Sequence, residues 1–131
     1  MKYEEITHKI IGCAMKVHSA IGSGFQEVVY QRALEVEMER QKLSFVREME
    51  MNVIYNNVEV GKRRVDFFVE QVIMLELKAL VKLDDLHITQ IMNYCQVFNF
   101  PFGLLINFGG RSLEFKRVYN LNHTDNWDLV K

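Results

Sequence analysis

The segment Val72-Ile73-Met74-Leu75-Glu76-Leu77-Lys78-Ala79 places two charged residues, Glu76 and Lys78, in an otherwise apolar run. Such a run predicts a strand buried on both faces, and residues two apart on a strand share a face, so the two charges point the same way. Ionised groups are costly to bury unless they are paired or bound to an ion. A structural Glu–Lys pair at a strand end meets that requirement in one way. The preceding segment, Val65-Asp66-Phe67-Phe68-Val69, offers another, because as a neighbouring strand it carries the Asp66 carboxylate toward Glu76. Two carboxylates converging beside a lysine at one sheet edge form a constellation for a hard divalent cation, Mg²⁺ or Mn²⁺, which takes the carboxylate oxygens as ligands, keeps several waters and binds phosphate. The lysine would orient an attacking water or offset charge on a phosphate.

Other residues are candidates on weaker grounds. Glu27 lies nearly in line with Leu34 and Met38 on a helical wheel, one turn from Tyr30. It either faces a site or is a first-turn glutamate favoured by the helix dipole. Gln90 and Tyr94, four apart on a helix, share a face and would bind a phosphate, a base edge or a metal-bound water, or satisfy each other. Lys62, Arg63, Arg64, Lys82, Arg111, Lys116 and Arg117 are candidate phosphate contacts, and for at least half of them ordinary solvated charge is the expectation. His18 and His87 have no evident partner in the sequence and are expected to be structural. Cys13 and Cys95 sit in helical stretches away from metal-ligand spacing, which predicts buried thiols in a reducing, cytoplasmic compartment.

The elements that must position these groups follow from periodicity. Ile6, Ile10, Cys13, Ala14, Val17 and Ile21 recur at steps of three and four, predicting an amphipathic helix over about 3–21 that Gly22-Ser23-Gly24 ends. A second helix is expected over about 25–42, with Tyr30, Leu34 and Met38 on its buried stripe. Alternation over 46–55 and 58–69 around Asn56-Asn57 predicts a β-hairpin, since asparagine tolerates positive φ. Residues 72–79 give a central strand. Asp84-Asp85 caps a helix over about 86–99. Strands over 102–108 and 113–119 close the order, and residues 120–131 are expected to form a surface tail. A helix between the third and fourth strands implies a crossover and local parallel pairing, hence a mixed α/β sheet.

Composition bounds the function classes. The 131 residues are 49% hydrophobic and 25% charged with one proline, which excludes a disordered or linker-rich chain and predicts one domain over 1–131. No apolar run reaches the roughly 18–20 residues of a membrane span, and the acidic N-terminus lacks a secretory pattern. A net charge of −1 is low for a protein that grips nucleic acid by charge alone, so a local basic patch, a bound cation or a partner must offset the acidic groups.

Taken together, Gly24-Phe25-Gln26-Glu27-Val28-Val29-Tyr30, Val65-Asp66-Phe67-Phe68-Val69, Leu75-Glu76-Leu77-Lys78-Ala79, Gln90 to Tyr94 and Gly103-Leu104-Leu105-Ile106-Asn107-Phe108-Gly109 resemble the GxxExxY protein family, over about residues 6–119. That family resembles the PD-(D/E)XK nuclease-like superfamily. The resemblance implies a restriction-endonuclease-like core (αβββαβ, a mixed central sheet flanked by helices) with an extra N-terminal helix and a C-terminal strand. It implies that Asp66, Glu76, the Leu77 carbonyl and, through water, Glu27 hold Mg²⁺ or Mn²⁺. Lys78 would act on the nucleophilic water, and Gln90 and Tyr94 would form the Q-x-x-x-Y element of the RecB-like branch. Val65 departs from the proline of the superfamily name. The implied activity is hydrolysis of nucleic acid, DNA being the expected substrate. For so small a domain, a homodimer or a partner protein is the expected means of gripping a duplex. A binding or regulatory module without turnover, or a structural subunit on the same fold, is the alternative.

Overall fold

The computed structural model describes residues 2–123. Helix α1 spans Tyr3–Ile21 and α2 Glu27–Arg40, and strands β1 (Phe45–Tyr55), β2 (Val58–Val69) and β3 (Ile73–Lys78) follow. Helix α3 (Asp85–Val97) leads to β4 (Phe102–Asn107) and β5 (Glu114–Tyr119). The sheet has the order β1-β2-β3-β4-β5, antiparallel except for the β3–β4 pair, which the α3 crossover makes parallel. The fold is thus the α/β restriction-endonuclease-like arrangement expected from the sequence. Asn56 and Asn57 form the hairpin turn with φ of 48° and 64°.

Two apolar layers flank the sheet. Ile10, Ala14 and Val17 of α1 and Tyr30, Leu34 and Met38 of α2 pack on Phe67, Ile73, Leu75, Leu77, Leu104 and Ile106. On the opposite face, Ile91 and Cys95 of α3 pack on Val65, Met74, Leu105 and Val118. Gly103 is small because α3 crosses closely there: an added Cβ would lie 2.9 Å from Cys95 Sγ. Both cysteines are buried free thiols, as expected.

Three details differ from the sequence expectation. Helix α2 is two residues shorter at each end, since the glycine turn continues through Gln26. Asn120, expected to open a surface tail, is buried and donates to the Cys95 and Phe100 carbonyls at 3.0 Å each, tying the end of β5 to the end of α3. The remainder of that expected tail, 124–131, lies outside the described residues.

The third difference shapes the site. Val65 packs on the α3 side of the sheet while Phe67, two residues on, packs on the α1/α2 side. The same exchange occurs on β1, where Phe45 faces one layer and Met49 and Met51 the other. Glu48 and Asp66, opposite each other between these residues, have no place in the pairing register, and Glu48 takes φ of 53°. Such irregularities re-aim side chains, as bulges do.

Candidate active site

The glycine turn before α2 is organised by one hydroxyl. Tyr30 Oη donates to the Gly22 carbonyl at 2.6 Å and accepts from the Phe25 N–H at 3.3 Å. Gly22 and Gly24 adopt φ of 70° and 109°, conformations that glycine takes without steric cost. The Tyr30 ring is buried and stacks on Phe108 at 4.7 Å. The spacing of glycine, glutamate and tyrosine therefore has a local cause: the tyrosine clamps the turn, and the turn sets Glu27 at the first position of α2.

On the sheet, Asp66 and Glu76 stand on β2 and β3 where the antiparallel ladder from Phe67↔Leu75 would continue. The Leu77 N–H donates to Asp66 Oδ2 at 2.7 Å, which fixes the Asp66 carboxylate at the end of the ladder. Glu76 is 4% exposed and projects to the α3 side, with Lys78 on the same face of β3. The cleft around it is lined by Arg63, Lys78, His87, Gln90, Tyr94 and Leu105. Glu76 Oε2 accepts from Arg63 Nη2 at 3.0 Å, while Oε1 is buried with no hydrogen-bond partner.

The electrostatics match this geometry. Burial first, and then the Asp66 charge, pushes the Glu76 carboxyl up to about 8, against the opposing pull of Arg63 and Lys78. Burial also raises Asp66, while the Leu77 N–H, Arg63, Lys78 and a hydrogen bond shared with Glu76 pull it back. Each carboxyl opposes ionisation of the other, as close like charges do. Glu27 is raised by partial loss of solvent and then by Asp66, and lowered by Lys78 and Arg63, so α2 contributes its charge to the same field.

The structure brings Asp66, Glu76 and Lys78 together and sets Gln90 and Tyr94 on the α3 wall beside them. Glu27 is coupled to the group electrostatically but does not close a ligand cluster. Among the described residues, no three His, Cys, Asp or Glu side chains gather as a metal-binding group.

The remaining candidates divide. His87, expected to be structural, does cap α3: its Nδ1 accepts from the Asp84 N–H at 3.3 Å, completing a capping box, but its ring also lines the cleft. His18 Nε2 lies 2.9 Å from the Gly110 carbonyl, as a structural residue would. Lys62 and Arg64 both reach Glu50, at 3.3 and 3.9 Å, and belong to the hairpin surface. Arg63 is the residue that the sequence left undistinguished among seven basic candidates. Plain alternation along β2 would send it with Phe67 toward α1 and α2, and the irregularity at Asp66 turns it onto Glu76 instead. No residue type at 48 or 66 announces that turn.

The donor chemistry suits a divalent cation, because the pair supplies hard carboxylate oxygens and one of them, Glu76 Oε1, is a buried acceptor without a donor. A family model described as the PD-(D/E)XK nuclease superfamily matches residues 4–118. The chain belongs to that superfamily. PD-(D/E)XK nucleases generally use divalent metals and act on nucleic acid. Among solved structures, the crystal structure of SSO0001 is similar, with a TM-score of 0.56 and 17% identity over 71% of this chain, a likeness of fold. The chain spans 50% of the length of that protein. No curated protein matches it. Among the described residues of this PD-(D/E)XK protein, no helix is long and apolar enough to cross a membrane.

Proposed function

We propose that this protein is a divalent-metal-dependent nuclease of the GxxExxY type, a single catalytic domain that hydrolyses phosphodiester bonds in nucleic acid, with DNA the expected substrate. The observation that carries the proposal is the pairing of half-buried Asp66 with buried Glu76, whose Oε1 is unpartnered, and Lys78 on the same face of β3. Asp66, Glu76 and the Leu77 carbonyl would hold Mg²⁺ or Mn²⁺, with Glu27 acting through water. When bound, the cation supplies charge stabilisation to the attacking and leaving oxygens of an in-line displacement. The Leu77 N–H holds Asp66 in one orientation, so little reorganisation is needed there. Lys78 orients the water and steadies charge on the scissile phosphate. Gln90 and Tyr94 position the substrate strand against the cleft. The buried free thiols favour a reducing, cytoplasmic setting, and a second copy or a partner protein would extend the grip of so small a domain.

A binding or regulatory module without turnover is the second reading, favoured by one observation: a guanidinium already sits on Glu76. Cleavage of labelled single-stranded, double-stranded and branched DNA and of RNA, in Mg²⁺ or Mn²⁺, separates the two. Metal-dependent cutting that falls by about 10²-fold or more in Lys78→Ala is the expected result. Equal cutting by both proteins would remove Lys78 from the mechanism. No cutting by either, with metal bound, would favour the binding module.

A further inference from the structure

The Arg63–Glu76 contact is an incomplete ion pair. A guanidinium and a carboxylate frequently meet through two parallel hydrogen bonds. Here only Nη2 reaches Oε2, at 3.0 Å, while Arg63 Nε and Glu76 Oε1 are each buried without a partner. Nη1 is spent on the neighbouring Arg64 carbonyl at 2.8 Å. The guanidinium rests on the Tyr94 ring, 4.6 Å from its centroid, so an aromatic shelf holds it beside the acid. The Arg63 side chain is 32% exposed against 6% for Glu76, so the cation has a route to solvent and the carboxylate has none.

We propose that Arg63 is a built-in counter-cation that occupies the position of the divalent metal in the metal-free protein, and that metal binding requires it to leave Glu76. The proposal rests on the reading of Asp66 and Glu76 as the metal ligands. A buried carboxylate beside a second, half-buried one with no cation nearby would be strongly unfavourable, and one guanidinium relieves it. Two cations cannot share Glu76 closely without mutual repulsion, so each weakens the other's hold. The single, unforked hydrogen bond keeps the relief small enough for a divalent ion to overcome. Arg63 is thus a positioning residue: it sets how tightly the site takes metal.

Calorimetric titration of Mn²⁺ without nucleic acid tests this on wild type, Arg63→Gln and Asp66→Asn. The expected result is tighter binding by Arg63→Gln, about fivefold or more, and lost binding by Asp66→Asn. Equal or weaker binding by Arg63→Gln, with wild type still binding, overturns the counter-cation alone; a residue that merely braces Glu76 would give the weaker value. No binding by wild type or Arg63→Gln overturns the metal site itself and the proposal with it. A second measurement needs no variant. In wild type, NMR of the Arg63 Nε–H and the Tyr94 ring should show the ring-current shift of the guanidinium relaxing on Mg²⁺ saturation. An unchanged Arg63 signal in metal-saturated protein overturns the displacement.

Discussion

The two faces of β3 are both buried from Ile73 to Leu77 and are oppositely built. Toward α1 and α2, Ile73, Leu75 and Leu77 are fully buried among apolar side chains and need nothing but close packing. Toward α3, Met74 is packed in the same way, but Glu76 and Lys78 follow it, and Glu76 holds an unsatisfied oxygen at 4% exposure. Burial on the first face is favourable by the hydrophobic effect. On the second it is unfavourable, and it persists only because Arg63 and Lys78 partly compensate. The contrast teaches that one six-residue strand carries the centre of the core on one side and the chemistry on the other, so their contributions are separable.

Substitutions on each face should break the comparison in opposite ways. Leu75→Ala should lower the unfolding free energy by about 2–5 kcal/mol in urea titration, the cost of a cavity at a site with no room to relax. Mn²⁺ affinity of the folded protein should stay within about twofold. Glu76→Gln should do the reverse, abolishing metal response while leaving metal-free stability equal or higher above pH 8. A Glu76→Gln variant destabilised as much as Leu75→Ala would mean that Glu76 serves the fold.

The pH dependence sharpens the same contrast, with a smaller expected effect. The Glu76 carboxyl is raised from its ordinary 4.5 to about 8 in the folded state. Between those values the unfolded chain has released the proton and the folded chain retains it. Stability of the metal-free protein therefore falls as pH rises through this window. Urea midpoints from pH 4.5 to 8.5 in chelator should show a decline in wild type that is shallower in Glu76→Gln. Metal binding should strengthen over the same range, since the cation displaces the retained proton. A flat difference between the two proteins would mean that Glu76 is already ionised at low pH.

The smallest effect is expected at a distance from β3. Tyr30→Phe keeps the stacked ring on Phe108 and removes only the hydroxyl clamp on the Gly22–Phe25 turn. It should cost about 1 kcal/mol in thermal or urea unfolding. If the clamp also sets Glu27, cleavage should fall more than stability does. Loss of stability alone would assign the tyrosine of this motif to the core.

Most of the architecture was legible because it rests on local periodicity. The stripe Tyr30, Leu34, Met38, the Asn56-Asn57 turn, the Asp84 cap of α3 and the unbroken apolar run of β3 each write their element into neighbouring residues. The carboxylates were legible for a related reason, since Glu76 and Lys78 violate the pattern of a strand that otherwise belongs in a core. The buried position of Asn120 was not, because its partners, the Cys95 and Phe100 carbonyls, come from α3 and the segment after it.

Sequence by itself determined the order and approximate bounds of the strands and helices, and placed two acids and a lysine on adjoining strands. Only the tertiary structure decided what faces them. Arg63 reaches Glu76 because the strand pair turns over at Glu48 and Asp66, and a backbone rotation of that kind depends on the packing of both layers rather than on the residue that undergoes it. The site's field followed the same rule. Glu27, Asp66 and Glu76 are ordinary acids in sequence, but burial shifts all three upward, and the Asp66 charge adds to the rise of Glu27 from 39 residues away and of Glu76 from 10.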